Sequence, residues 1–139
     1  MLKTRLLHPG ILQALGESGH GAQVLIADGN YPLRSGSNGA AHHVYLNLAP
    51  GTVSVTEVLQ ALVGAIPVEA AHVMSPDDGP EPPIFADFRG LLPGLELERL
   101  GRFPFYDAAR APGVTLAIAT GDQRLYANLL LTIGVVTPD

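Results

Sequence analysis

Cysteine is absent from this 139-residue chain. That single absence excludes disulfides, thiolate zinc sites and cysteine nucleophiles together. Lysine occurs once, at Lys3, beside seven scattered arginines, and the formal net charge is −5. With no basic stripe to neutralise phosphates, the chain does not read as a nucleic-acid binder. No segment approaches the roughly 20 apolar residues that a membrane-spanning helix requires. The opening "MLKTRLLHPG" has a basic start but no apolar run of signal-peptide length, so a soluble protein of the cytoplasm is expected. GxGxxG, GxxxxGK[ST], HExxH and GxSxG are all missing, which leaves nucleotide use and serine hydrolysis without local support.

What is present is apolar. The chain is 47% hydrophobic and only 15% charged, a balance suited to a packed fold that hides further surface in subunit contacts. The length suits one domain, taken as residues 1–139, with a substantial core. Sixteen glycines and twelve prolines are spread without a period, so many turns are expected and no repeats.

Strand and helix signals alternate along the chain. Pro9 in a first turn, followed by Ile11, Leu12 and Leu15, predicts a helix ended by Gly16 and Gly19. The run 22–27, "AQVLIA", reads as a strand buried on both faces. Residues 28–43 are too rich in Gly, Ser, Asn and Pro for a regular element, and long loops of this kind tend to be functional. "VYLNL" (44–48) alternates like a strand. "SVTEVLQALVGAI" (54–66) is a helix opened by a capping box, Ser54 with Glu57. Strands follow at 68–74, near 95–100 and at 114–120, with a short helix around 84–91 and another in 102–110. The period of 126–136 is unclear, because nearly every residue is apolar. Such alternation predicts an α/β layered fold, a central sheet with helices on both faces, and ligands beyond the strand ends.

Few residues carry chemistry on that frame. His20 stands between two glycines just before strand 22–27, and Asp28 follows that strand directly. Six residues of strand span about 20 Å, so the two meet only if the glycines turn the chain back or a neighbouring chain completes the site. His20 reads otherwise as a capping or packing residue, and Asp28 as the first residue of an Asx turn, "DGN". Arg102 reads as a surface arginine over the aromatics of "FPFY". Tyr126 and Asn128, two apart, would face one way in an extended segment, which suits a polyol ligand or a loop anchor. His42 and His43 adjoin, but neighbours in a strand point apart and no third ligand is placed, so a metal site is not expected. His8 looks like a helix cap and His72 like a strand residue.

Four pieces in order resemble the D-ribose pyranase and L-fucose mutarotase family: "GHG" (19–21), Asp28 with Pro32 four residues on, "RFPFYDAA" (102–109) and "TGDQRLYANLLLTIGV" (120–135). The likeness runs over nearly the whole chain. "RFPFY" looks like the fucose branch, since the ribose branch has a histidine in the place of Arg102. The resemblance implies a three-layer α/β/α fold and interconversion of anomers or ring forms of a free monosaccharide, without cofactor or metal. By position it makes His20 the proton donor. Asp28, Arg102, Tyr126 and Asn128 become sugar-binding residues, with the backbone around Ala127 lining the site. It further implies a homo-oligomer, a decamer of stacked pentamers, with sites near subunit contacts. Loop 33–50 is longer than the family's usual stretch, and segment 75–94 is shorter and proline-rich. A non-catalytic sugar-binding accessory protein is the alternative reading of the same pocket.

Overall fold

A computed structural model describes residues Met1–Asp139. Six strands form one sheet in the order β2-β5-β1-β6-β3-β4. They are β1 (Gln23–Ala27), β2 (His42–Tyr45), β3 (Val68–Met74), β4 (Leu97–Leu100), β5 (Val114–Ala119) and β6 (Leu129–Ile133). Pairs β1–β5, β2–β5 and β3–β4 are parallel, whereas β6 runs antiparallel to both β1 and β3. Five strands therefore share one direction and β6 alone reverses. The C-terminal ends of β1 to β5 and the N-terminal end of β6 all lie along one edge of the sheet, called here the carboxyl edge.

Helices α1 (Pro9–Glu17), α2 (Val55–Val63), α3 (Ile84–Leu91) and α4 (Arg102–Ala109) form the outer layers. One core joins Ile11, Leu59, Phe85 and Phe88 to the sheet residues Val24, Ile26 and Leu129. It holds α1, α2 and α3 on one face. The other face is covered by α4 through Phe105 and Ala109, and by Tyr31 and Leu33 from the loop after β1. This is the expected α/β/α layering, with loop 28–41 supplying part of the thinner layer. No helix is long and apolar enough to cross a membrane.

Local chemistry explains the boundaries. His8 caps α1, its Nδ1 accepting from the Ile11 N–H at 3.3 Å, and Pro9 takes the first helical position. Ser54 and Glu57 form the reciprocal capping box at the start of α2. That helix stops at Val63, three residues short of the stretch read from sequence. β2 begins at His42, earlier than expected and within the stretch read as irregular, because His42 and His43 pair with Leu116 and Ala117 of β5. His42 bonds Glu17 at 2.7 Å and His43 bonds Ser37 at 3.0 Å, so the two rings serve separate anchors. β6 is buried at four of its five positions, which is why its sequence carries no period.

Candidate active site

Three turns meet at the carboxyl edge. Thr120 directly follows β5 and donates from its hydroxyl to the Ala27 carbonyl at 2.7 Å, tying the loop after β5 to the end of β1. Gly121 follows with no room for a side chain, since a Cβ there would collide with the carbonyl oxygens of Ala49 and Thr52. Asp122 then accepts from the Val55 N–H at 2.9 Å, fixing the start of α2 against the same loop.

Arg124 locks that junction. Its Nε and Nη2 form a fork on Asp122 at 3.0 and 2.7 Å, while Nη1 reaches Asp87 of α3 at 3.2 Å and Nη2 also donates to Thr56 at 3.1 Å. Burial pushes the Asp122 carboxyl up, but hydrogen bonds from Arg124 and from the Val55 N–H outweigh it and hold the group below its usual range. Two residues on, Tyr126 adopts φ +60°, the left-handed region that a bulky residue enters only where its surroundings enforce it. Tyr126 is therefore not extended, which corrects the expectation that it and Asn128 share a face by simple alternation.

Asn128 and Asp28 lie side by side, one directly before β6 and the other directly after the adjacent central strand β1. The Asn128 Nδ2 donates to Asp28 Oδ2 at 3.0 Å, and its Oδ1 accepts from the Asp28 N–H at 2.8 Å. Asp28 Oδ1 accepts from the Asn30 N–H at 2.9 Å, the Asx turn expected of "DGN". Asp28 is buried, and desolvation raises its pKa against these hydrogen bonds. Each of its oxygens keeps acceptor capacity for a ligand hydroxyl.

Arg102 opens α4 directly after β4 and lies over the rings of Phe103 and Tyr106 at 5.5 and 5.7 Å, as its surface reading predicts. It also donates weakly to the Tyr106 hydroxyl at 3.4 Å. Ala127 is wholly buried, with its side chain in the core. A cleft of about 600 Å³ opens beside Asp28, with Tyr31, Arg34, Tyr45 and Asn47 in its wall. A second, of about 390 Å³, runs under the proline loop past Leu125 and Tyr126.

His20 lies at the opposite edge. It tops a tight turn in which the Ala22 N–H bonds the Gly19 carbonyl at 3.1 Å and Gly21 takes φ +86°, the type II pattern that calls for glycine there. This answers why a histidine stands between glycines, since the turn presents it to solvent. The turn does not fold back toward Asp28. β1 lies between them, and its five residues span about 17 Å. One chain thus joins Asp28 to Asn128, sets Tyr126 and Arg102 along the same carboxyl edge and leaves His20 at the other.

Residues 1–136 match the model of the RbsD / FucU transport protein family. The chain belongs to that family. Among its RbsD / FucU relatives, the fucose mutarotase of Bos taurus is 31% identical over 96% of this chain and 92% of its own length. The D-ribose pyranase of Streptomyces coelicolor is 33% identical over 97% of this chain and 98% of its own. In three dimensions, the fucose mutarotase of Streptococcus pneumoniae in complex with L-fucose superposes with a TM-score of 0.85 at 26% identity, covering 99% of this chain and all of that one (100%).

The residues that sequence reasoning overlooked are Arg124 with Asp122, and Glu69. A signal existed for the first pair: "DQR" sets an acid and an arginine two apart in a tight loop, where a fork forms readily. Glu69 gave none, because its partner lies 49 residues away.

Proposed function

We propose that the protein is a sugar mutarotase, an isomerase that opens and recloses the hemiacetal ring of a free monosaccharide, with L-fucose or a close relative as substrate. The observation carrying this reading is the Asp28–Asn128 pair at the carboxyl edge, along which Tyr126 and Arg102 also lie, in a chain of this family. Asp28 and Arg102 hold sugar hydroxyls by charge-assisted hydrogen bonds, and Asn128, Tyr126 and the Ala127 backbone complete the contacts. His20 is the acid–base group. In ring opening its imidazolium gives a proton to the ring oxygen, the bond from that oxygen to the anomeric carbon breaks, and the anomeric hydroxyl yields its proton to water. The open-chain carbonyl turns its other face, and the same transfers run in reverse. Histidine suits both directions near neutral pH.

Because His20 and Asp28 occupy opposite edges, the His20 edge of one copy docks on the carboxyl edge of the next. Exposed apolar residues stand at both, Val135 and Val136 after β6 and Phe103, Leu125 and Leu48 on the carboxyl side. Such a head-to-tail contact is heterologous and closes into a ring, in keeping with stacked pentamers forming a cytoplasmic decamer. Every copy then supplies one half of two sites.

Saturation-transfer NMR between the anomers of L-fucose, D-ribose and D-galactose tests the activity. Enzyme-dependent exchange is expected for at least one sugar, fastest for L-fucose. Binding of a sugar without any acceleration of exchange would mark a non-catalytic accessory protein instead.

A further inference from the structure

We infer that Glu69 is a positioning residue for His20, fixing the ring nitrogen that exchanges a proton with the sugar. The inference rests on the acid–base role given to His20 above. Both carboxylate oxygens of Glu69 lie within bonding distance of His20 Nε2, Oε1 at 3.1 Å and Oε2 at 3.0 Å. Two features built into the fold maintain that approach. The pairing of β3 with β6 shifts register between Val68 and Ala70, so Glu69 sits at the irregularity, a device that re-aims a side chain. Gly134, at the end of β6, packs against Glu69. A Cβ there would come within 3.3 Å of the Glu69 Cβ and 3.7 Å of its Oε2.

The same short segment also holds the histidine turn. The Gly21 N–H bonds the Ile133 carbonyl at 2.9 Å, and the Gly134 N–H bonds the Pro67 carbonyl at 2.9 Å. Turn 19–22, the start of β3 and the end of β6 are thereby joined around one His–Glu contact. Both side chains are about half exposed, 58% for His20 and 45% for Glu69, and exposed ion pairs add little stability. The consequence of the contact is orientation.

The chemistry follows from the donor inventory. An ionised carboxylate only accepts, so Nε2 must carry a hydrogen toward Glu69. The proton that moves is then the one on Nδ1. In ring opening the imidazolium passes the Nδ1 proton to the sugar ring oxygen and remains a neutral imidazole with its Nε2–H on Glu69. In closure Nδ1 takes the proton back. Without Glu69 the neutral ring divides between two tautomers and several orientations, and only some can accept at Nδ1.

The test is anomer exchange of L-fucose measured on the assembled full-length protein. Glu69→Ala is expected to lower kcat about 10- to 100-fold with KM changed less than about twofold, and Glu69→Gln, which keeps one acceptor oxygen, to lose less. In a His20→Ala background Glu69→Ala should cause no further loss, since it acts through the imidazole. Wild-type kcat in Glu69→Ala, or losses that multiply in the double variant, would overturn the inference while leaving the mutarotase reading standing. Should Glu69→Ala alter the assembly by sedimentation, Glu69→Gln carries the same comparison. Absence of exchange in the wild-type protein would sink both.

Discussion

Replacing His20 with alanine is expected to bring anomer exchange down to nearly the uncatalysed rate, a loss on the order of 10²–10⁴-fold for one positioned acid–base group. Folding should survive. The imidazole is more than half exposed, and its hydrogen-bond partner Glu69 is nearly half exposed, so the truncation costs about 1 kcal/mol or less. L-fucose binding should weaken only a few-fold, since the proposed hydroxyl anchors Asp28, Asn128, Tyr126 and Arg102 lie at another edge. Saturation-transfer NMR gives the rate and isothermal titration the affinity. Exchange at the wild-type rate with His20→Ala would remove the histidine from the mechanism.

The second large effect is structural and lies at Arg124. Its guanidinium forks onto Asp122, whose side chain is only 3% exposed, and ties that carboxylate to Asp87 and Thr56. Arg124→Ala leaves Asp122 buried with only backbone N–H partners from Val55 and residue 124. Removing one member of a fully buried pair costs roughly 3–5 kcal/mol, and the partial exposure of Arg124 lowers the expectation to about 2–3 kcal/mol in urea unfolding. Lysine at this position should recover part of that, since it lacks the planar fork.

The pH dependence of the loss has a definite sign. The folded state holds Asp122 below its usual range, so its contribution is present above the ordinary carboxylate range and fades as pH falls through the folded value. The deficit of Arg124→Ala should therefore shrink in acid, and one that grew there would contradict the assignment. Because Tyr126 and Asn128 sit two and four residues beyond Arg124, sugar affinity should fall with stability.

Much of the fold was legible because local chemistry agreed with the global arrangement. β3 and α3 occupy the very spans their sequence suggests, and the capping box at Ser54 marks the start of α2. β2 was misplaced because its pairing to β5 overrides the loop-like composition of 36–43. β6 was ambiguous because burial on both faces erases periodicity. The site was legible only in part. Asp28 reads as an Asx turn and also makes one, yet its bond to Asn128 joins positions 100 residues apart, which no spacing rule anticipates. The separation of His20 from Asp28 was foreseeable from strand length alone. The glycines left two solutions open, and the turn at 19–22 eliminates the intramolecular one.

That elimination makes a shared site the central claim, and complementation tests it. His20→Ala lacks the proposed acid–base group but keeps an intact carboxyl edge. A variant carrying Asp28→Asn and Arg102→Ala keeps His20 but lacks the hydroxyl anchors. Each is expected to be nearly inactive alone. Dissociated, mixed in equal amounts and reassembled, the two should regain about one quarter of wild-type exchange, because random neighbours in a heterologous ring place an intact His20 edge against an intact carboxyl edge at one contact in four. A mixture no more active than the two variants measured separately would contradict the account.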